Sequence, residues 1–149
     1  MEEINEDVIS DIAYSICTAV SEVSGRSGMA FVSMVGKNLL YTVEEKKDLP
    51  KNRDDSVESL NDFLSFFVDL GYASRIRASL KDNALTLDFE NIKFLESEEL
   101  LMKEKSAVLP LYVTFAARAF MEKYFDMSLV YKEYRIKEGK TTMASLRIL

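Results

Sequence analysis

The chain contains no histidine, a single cysteine, two prolines and five glycines in 149 residues. Without histidine there is no Ser-His-Asp triad, and both the usual general base at neutral pH and the commonest zinc ligand are missing. One cysteine, Cys17, permits neither an internal disulfide nor a thiolate metal cluster. Apolar runs are short as well. The longest, VLPLYVTFAARAFM, spans 14 residues with Arg118 inside it, too few and too interrupted for a membrane span. The opening MEEINEDVIS is acidic and precedes no short apolar core, so no signal peptide is expected. These absences point to a cytoplasmic chain with no cofactor, no metal site and no catalytic set.

What is present is enough apolar residue for a core. Hydrophobic residues make up 48% of the chain, with 9 Phe and 7 Tyr, which excludes a disordered composition. The length suits one domain covering residues 1–149. Net charge is -6, and it is uneven: residues 1–75 carry 7 basic and 14 acidic side chains, residues 76–149 carry 12 and 11. An acidic first half repels phosphate backbones, so no nucleic-acid partner is expected. The slight basic excess at Lys132, Arg135, Lys137, Lys140 and Arg147 reads as a solvated hairpin face.

Periodicity sets the element order. Val8, Ile9, Ile12, Ala13, Ile16, Ala19, Val20 and Val23 recur at three- and four-residue steps, predicting a helix over 5–23. SGRSG interrupts it, and Ser27 starts a second helix to about Val43. EEKKDLPKNRDD reads as an exposed loop. Asp55 and Glu58 form a capping box for a third helix through Leu70, which Gly71 stops. Asp54, Asp55 and Glu58 are thereby explained by the helix dipole.

The segment ASRIRASLKDNALTLDFEN alternates on both sides of a polar turn. A two-residue loop at Asp82-Asn83 pairs Leu80 with Leu85, Ala78 with Leu87 and Ile76 with Phe89. On the opposite face it sets Arg77 against Asp88 and Arg75 against Glu90. A slip of one residue would destroy the apolar and the charged pattern together. ESEELLMKEKS is compatible with a short helix in which Glu96, Glu98 and Glu99 form a solvated face. SAVLPLYVTFAARAFMEKYF then reads as a central helix, apolar nearly all round, with Pro110 tolerable only in its first turn. The last 22 residues read as two strands around Glu138-Gly139. Leu129 and Tyr131 share one face with Ala144, Leu146 and Ile148; Val130, Tyr134, Ile136 and Met143 fall on the other. Two partly apolar faces suggest a strand pair covered on both sides or an interface. The result is an α+β domain, helices packed on an antiparallel sheet of about four strands, in the order α-α-α-β-β-α-β-β.

With Gly25, Arg26 and Gly28 opening the second helix, Leu70-Gly71-Tyr72 leading into the first hairpin, and a late helix before a C-terminal hairpin, the chain resembles the 4-vinyl reductase domain family. That family is related to transport-complex subunits that carry an acyl chain and to the haem nitric-oxide-binding domain. The likeness covers roughly residues 5–149, by element order more than by motif. Many members carry cysteines in the C-terminal hairpin, and VYKEYRIKEGKTTMASLRIL has none, so any metal or redox role of those cysteines does not transfer. The resemblance implies an apolar cavity between helices and sheet, used by some relatives for a small lipophilic molecule and by others in pairing with partner subunits.

On these grounds the expected function is a non-enzymatic binding domain for a small lipophilic molecule, with a sensory, regulatory or carrier role. The pocket is expected where the late helix faces the second and third, lined by Phe31, Val35, Phe63, Phe67, Tyr112, Phe115 and Ala116, with Arg26 or Arg118 at a polar end. Arg118, inside the most apolar helix, needs a partner for its guanidinium, either a carboxylate or a ligand. Cys17 reads as a small buried hydrophobe. Gly28, Val32 and Gly36 step by four, so the glycines share a face that admits either a packed neighbour or a ligand tail. The rival reading is a structural protein with a filled core, pairing as a homodimer through the C-terminal hairpin or the glycine face.

Overall fold

The computed structural model describes the backbone of residues 6–149 and the side chains of residues 8–149. Among the described residues, five α-helices and four strands follow the expected order, with the short helix at ESEELLMKEKS formed as α4 in addition to it: α1 Glu6–Ser24, α2 Gly28–Glu44, α3 Ser56–Asp69, β1 Arg75–Lys81, β2 Ala84–Glu90, α4 Leu95–Lys103, α5 Tyr112–Phe125, β3 Leu129–Lys137 and β4 Thr141–Ile148. The expected start of α1 at residue 5 lies outside the described residues. A 3₁₀ turn, Gly25–Ser27, links α1 to α2, and Gly25 adopts φ +55° there with open space where a Cβ would stand.

The four strands form one antiparallel sheet in the order β1-β2-β4-β3, so β2 and β4 join the two hairpins. The first hairpin has the expected register: Ile76 faces Phe89, Ala78 faces Leu87, Leu80 faces Leu85, Arg77 faces Asp88 and Arg75 faces Glu90. Asp82 and Asn83 both take positive φ, 50° and 61°, the pattern of a tight turn whose twist matches the strands. At the free edge of β1 the Ala78 backbone is not left open. Its N–H donates to Asn61 Oδ1 at 2.8 Å, and its carbonyl accepts from Asn61 Nδ2 at 3.2 Å.

The second hairpin departs from expectation. Its register shifts between Tyr131 and Glu133, a β-bulge that absorbs Lys132 as an extra residue. Beyond the bulge the alternation inverts. Tyr134 and Ile136 therefore join Leu129 and Tyr131 on the inner face, opposite Ala144 and Thr142, instead of lying with Val130. The sheet is thus apolar on one side only. Its outer face carries Arg75, Arg77, Glu90, Glu133, Arg135 and Arg147, with Arg75–Glu90 and Lys137–Asp88 pairs at 3.8 Å each. A hairpin covered on both sides is ruled out by that charged surface.

The helices cover the inner face. α5 lies at the centre, burying Val113, Phe115, Ala116, Ala117, Phe120 and Met121. It is shorter than expected. Pro110 stays outside the helix, which begins two residues later at Tyr112, after a segment in which Ser106 Oγ donates to the Val108 carbonyl. The glycine face of α2 is spent on close packing. A Cβ on Gly36 would stand 2.6 Å from the Phe115 carbonyl carbon and 2.7 Å from the Ala116 nitrogen, so α2 and α5 meet backbone to backbone. A Cβ on Gly28 would overlap Val108 and stand 2.8 Å from Val20 Cγ1. Neither glycine leaves room for a ligand tail. Asp55 caps α3 by accepting from the Glu58 N–H at 3.0 Å, while the Glu58 carboxylate accepts from Asn52 Nδ2 instead of closing the box.

Candidate functional site

The interface between α5 and helices α2 and α3, where sequence reasoning sought a pocket, is filled. Phe63 is fully buried and stacks on Phe120 with centroids 4.8 Å apart, and it meets Phe67 edge-on at 5.4 Å. Phe115 and Ala116 are buried against Gly36. Arg118 finds its partner one turn away in Glu122, at 3.1 Å, with its guanidinium 5.9 Å from the centre of the Phe115 ring. Arg26 is exposed in the 3₁₀ turn, and Phe31 points to solvent from α2. None of these six borders a cavity with the remaining three.

Those three, Val35, Phe67 and Tyr112, do come together, on an open groove of about 410 Å³ beside the filled interface. One wall is α2, through Val35, Leu39, Thr42 and Val43. Facing it are Phe66, Phe67 and Leu70 at the end of α3. Ile9 of α1 and Val113 of α5 also border it, and an aromatic series runs from the connections to the start of α5: Tyr72 meets Phe94 edge-on at 5.8 Å, and Phe94 meets Tyr112 edge-on at 6.2 Å. Gly71 (φ +85°) turns the chain out of α3, and the stem of Lys93 passes over it, with Cε 3.5 Å from where a Cβ would be. The Lys93 amide donates to the Tyr72 carbonyl at 2.9 Å, fixing the Tyr72 and Lys93-Phe94 segments side by side. A volume of this size, apolar and aromatic with a few polar groups at its border, is the usual form of a small-molecule site.

Behind the groove lies a polar cluster that sequence reasoning placed in solvent. Glu98 is fully buried, and its carboxyl accepts a hydrogen bond from the Tyr134 hydroxyl. Its other oxygen, Oε1, has no hydrogen-bond partner among the described residues. Burial pushes the Glu98 carboxyl up to about 8, the Tyr134 bond opposing only part of that rise. The signal was in the spacing: Phe94, Ser97, Glu98 and Leu101 occupy one face of α4, with Glu98 between two apolar positions. Ser97 on that face hydrogen-bonds the Ser10 carbonyl and ties α4 to α1. Cys17 is also buried, and burial raises its thiol to about 11, with the nearby Tyr112 hydroxyl opposing only part of that rise. A thiol in that state is not a nucleophile at neutral pH.

Sequence reasoning missed Leu39, Phe66, Leu70, Tyr72, Lys93 and Phe94 as groove residues. In the sequence Leu70 and Tyr72 stand out only as the end of a helix and the lead into the first hairpin. No protein-family model matches this chain, and no curated protein matches its sequence.

Proposed function

We propose that the chain is a binding domain for a small lipophilic molecule, seated in the groove between α2, the end of α3 and the first turn of α5, with a sensory, regulatory or carrier role. The observation that carries this reading is the groove itself: about 410 Å³ bordered by Val35, Leu39, Phe66, Phe67, Phe94 and Tyr112, in a fold whose core is otherwise filled. Burying a ligand's apolar surface there would yield roughly 25 cal/mol per Å² before the costs of association. The resemblance to 4-vinyl reductase domains leads to the same class of ligand, although it implies a cavity between helices and sheet, whereas this groove is bordered by helices and connections.

The test is a fluorescence titration with the neutral apolar dye N-phenyl-1-naphthylamine. Saturable uptake of one equivalent is expected, abolished by Leu39→Trp, which fills the groove, and weakened several-fold by Leu70→Gln. Leu70 is 68% exposed, so its replacement spares the core. Phe31→Ala, away from the groove, should leave uptake unchanged. Absence of uptake, or uptake indifferent to Leu39→Trp, would sink the reading.

A second reading, association with another chain, is favoured by the exposed stripe Val8, Ile12, Ile16 and Val23 on α1. The two surfaces expected from sequence to mediate pairing are otherwise engaged or charged. Sedimentation of the wild type against an Ile12→Glu, Ile16→Glu variant decides it: a dimer lost in the variant supports pairing through α1, and a monomeric wild type refutes it.

A further inference from the structure

We propose that α4 is a pH-operated latch on the groove: while Glu98 is neutral the helix stays docked and holds Phe94 in the groove wall, and once Glu98 ionises the helix lifts and takes Phe94 with it. The proposal rests on the groove being a binding site. Phe94 is the residue from which α4 starts, and its ring stands edge-on to both Tyr72 and Tyr112. Glu98 follows one turn later, its amide donating to the Phe94 carbonyl at 2.8 Å. Its carboxyl is fully buried with a hydrogen bond from Tyr134, and Oε1 has no partner among the described residues. The titratable groups facing it, among the described residues, are Cys17 of α1, Tyr72 before β1, and Tyr131 and Tyr134 of β3, with Tyr112 of α5 beyond Cys17. All of these keep their protons at neutral pH, and none supplies a positive charge. Glu96 and Glu99 of α4 itself are exposed. A carboxylate left in that setting is costly, and the relief open to it is water. The helix is the part that can yield. It has nine residues between two connections, whereas Tyr134 is fixed in a four-stranded sheet. A helix of that length does not persist away from its packing, so its release would dissolve the Phe94 wall.

The test titrates the same neutral dye into wild type and Glu98→Gln at pH 5, 7 and 9, alongside amide hydrogen exchange over residues 95–103. Wild-type affinity should fall about tenfold from pH 5 to pH 9, within the usual range of coupling between two sites, while the circular dichroism spectrum keeps its folded form. Glu98→Gln, which has no proton to lose, should stay within about twofold across the same range. Exchange in α4, corrected for the intrinsic effect of pH, should accelerate in the wild type relative to α5 and not in the variant. If Glu98→Gln does not fold, the wild-type exchange profile decides. Dye affinity that is saturable but constant with pH overturns the latch while the groove stands. So does a Glu98→Gln affinity that falls in step with the wild type, or an α4 that stays protected at pH 9. Absence of dye uptake at every pH overturns the groove reading, and the latch with it.

Discussion

The hydroxyl of Tyr134 on β3 donates a hydrogen bond to the carboxyl of Glu98 on α4, and both side chains are buried between helix and sheet. This contact depends on the bulge at Lys132. Without the extra residue, Tyr134 would project from the charged outer face and Glu98 would be buried with no partner.

Glu98 should therefore make stability fall as pH rises. Its folded value, about 8, lies above the ordinary 4.5, so the folded state holds this proton more tightly than the unfolded chain. The contribution is complete below about 4.5, is lost progressively between the two values, and is gone above about 8. Glu98→Gln keeps an acceptor for Tyr134 but has no proton to lose. Denaturant midpoints measured from pH 5 to 9 should decline in the wild type and flatten in the variant. A variant that parallels the wild type would show that the carboxyl is not neutral in the folded protein.

Gly36 should tolerate no side chain. Alanine ordinarily stabilises a helix interior by about 1 kcal/mol relative to glycine. Here the new methyl would push against the α5 backbone at Phe115 and Ala116, which cannot rotate away. Overpacking of this kind costs about 1–3 kcal/mol and should outweigh the propensity gain. Thermal melting of Gly36→Ala below the wild type is the expected result; a rise would mean that α2 and α5 are not in contact.

Cys17 should be inert until the protein unfolds. At pH 8 a thiol raised to about 11 is almost entirely protonated, and it is also shielded from solvent. Ellman's reagent should report no fast-reacting thiol in native protein and one equivalent in guanidinium chloride. Fast reaction of the native protein would contradict the packing of α1.

The turn at Asp82-Asn83 should discriminate sharply between substitutions. Asn83 holds φ 61°, which glycine and asparagine accept and a β-branched residue does not. Asn83→Gly should be neutral or slightly stabilising, whereas Asn83→Val should cost about 1–2 kcal/mol, read from urea midpoints. Equal effects would indicate a different turn.

The first hairpin was legible because two independent patterns, apolar alternation and opposed charges around a polar turn, agree on one register. The bulge was not, since one inserted residue leaves no mark on composition while reversing every side chain after it. Glu98 was obscured for a related reason: three glutamates in four positions resemble a solvated face, and only their phase against Phe94 and Leu101 distinguishes the buried one. Phe63, Phe115 and Ala116 were correctly read as apolar and interior but could not be separated from lining residues, because helical spacing identifies an inward face without revealing whether that face meets a neighbour or a void. The groove arises from the outer flanks of α2 and α3 and from two connections, Gly71-Tyr72 and Lys93-Phe94, whose proximity is long-range and carries no local period.

Asn61 gives the sheet a handedness of access. By holding both backbone groups of Ala78, its amide occupies the place that an incoming strand would need at the middle of β1. A foreign strand seeking to extend the sheet must first displace that amide, whereas β3 has no strand beyond it among the described residues. Any growth by strand addition is thereby steered to the β3 side, and a chain that can grow at one edge only can form a closed pair but not an endless ribbon.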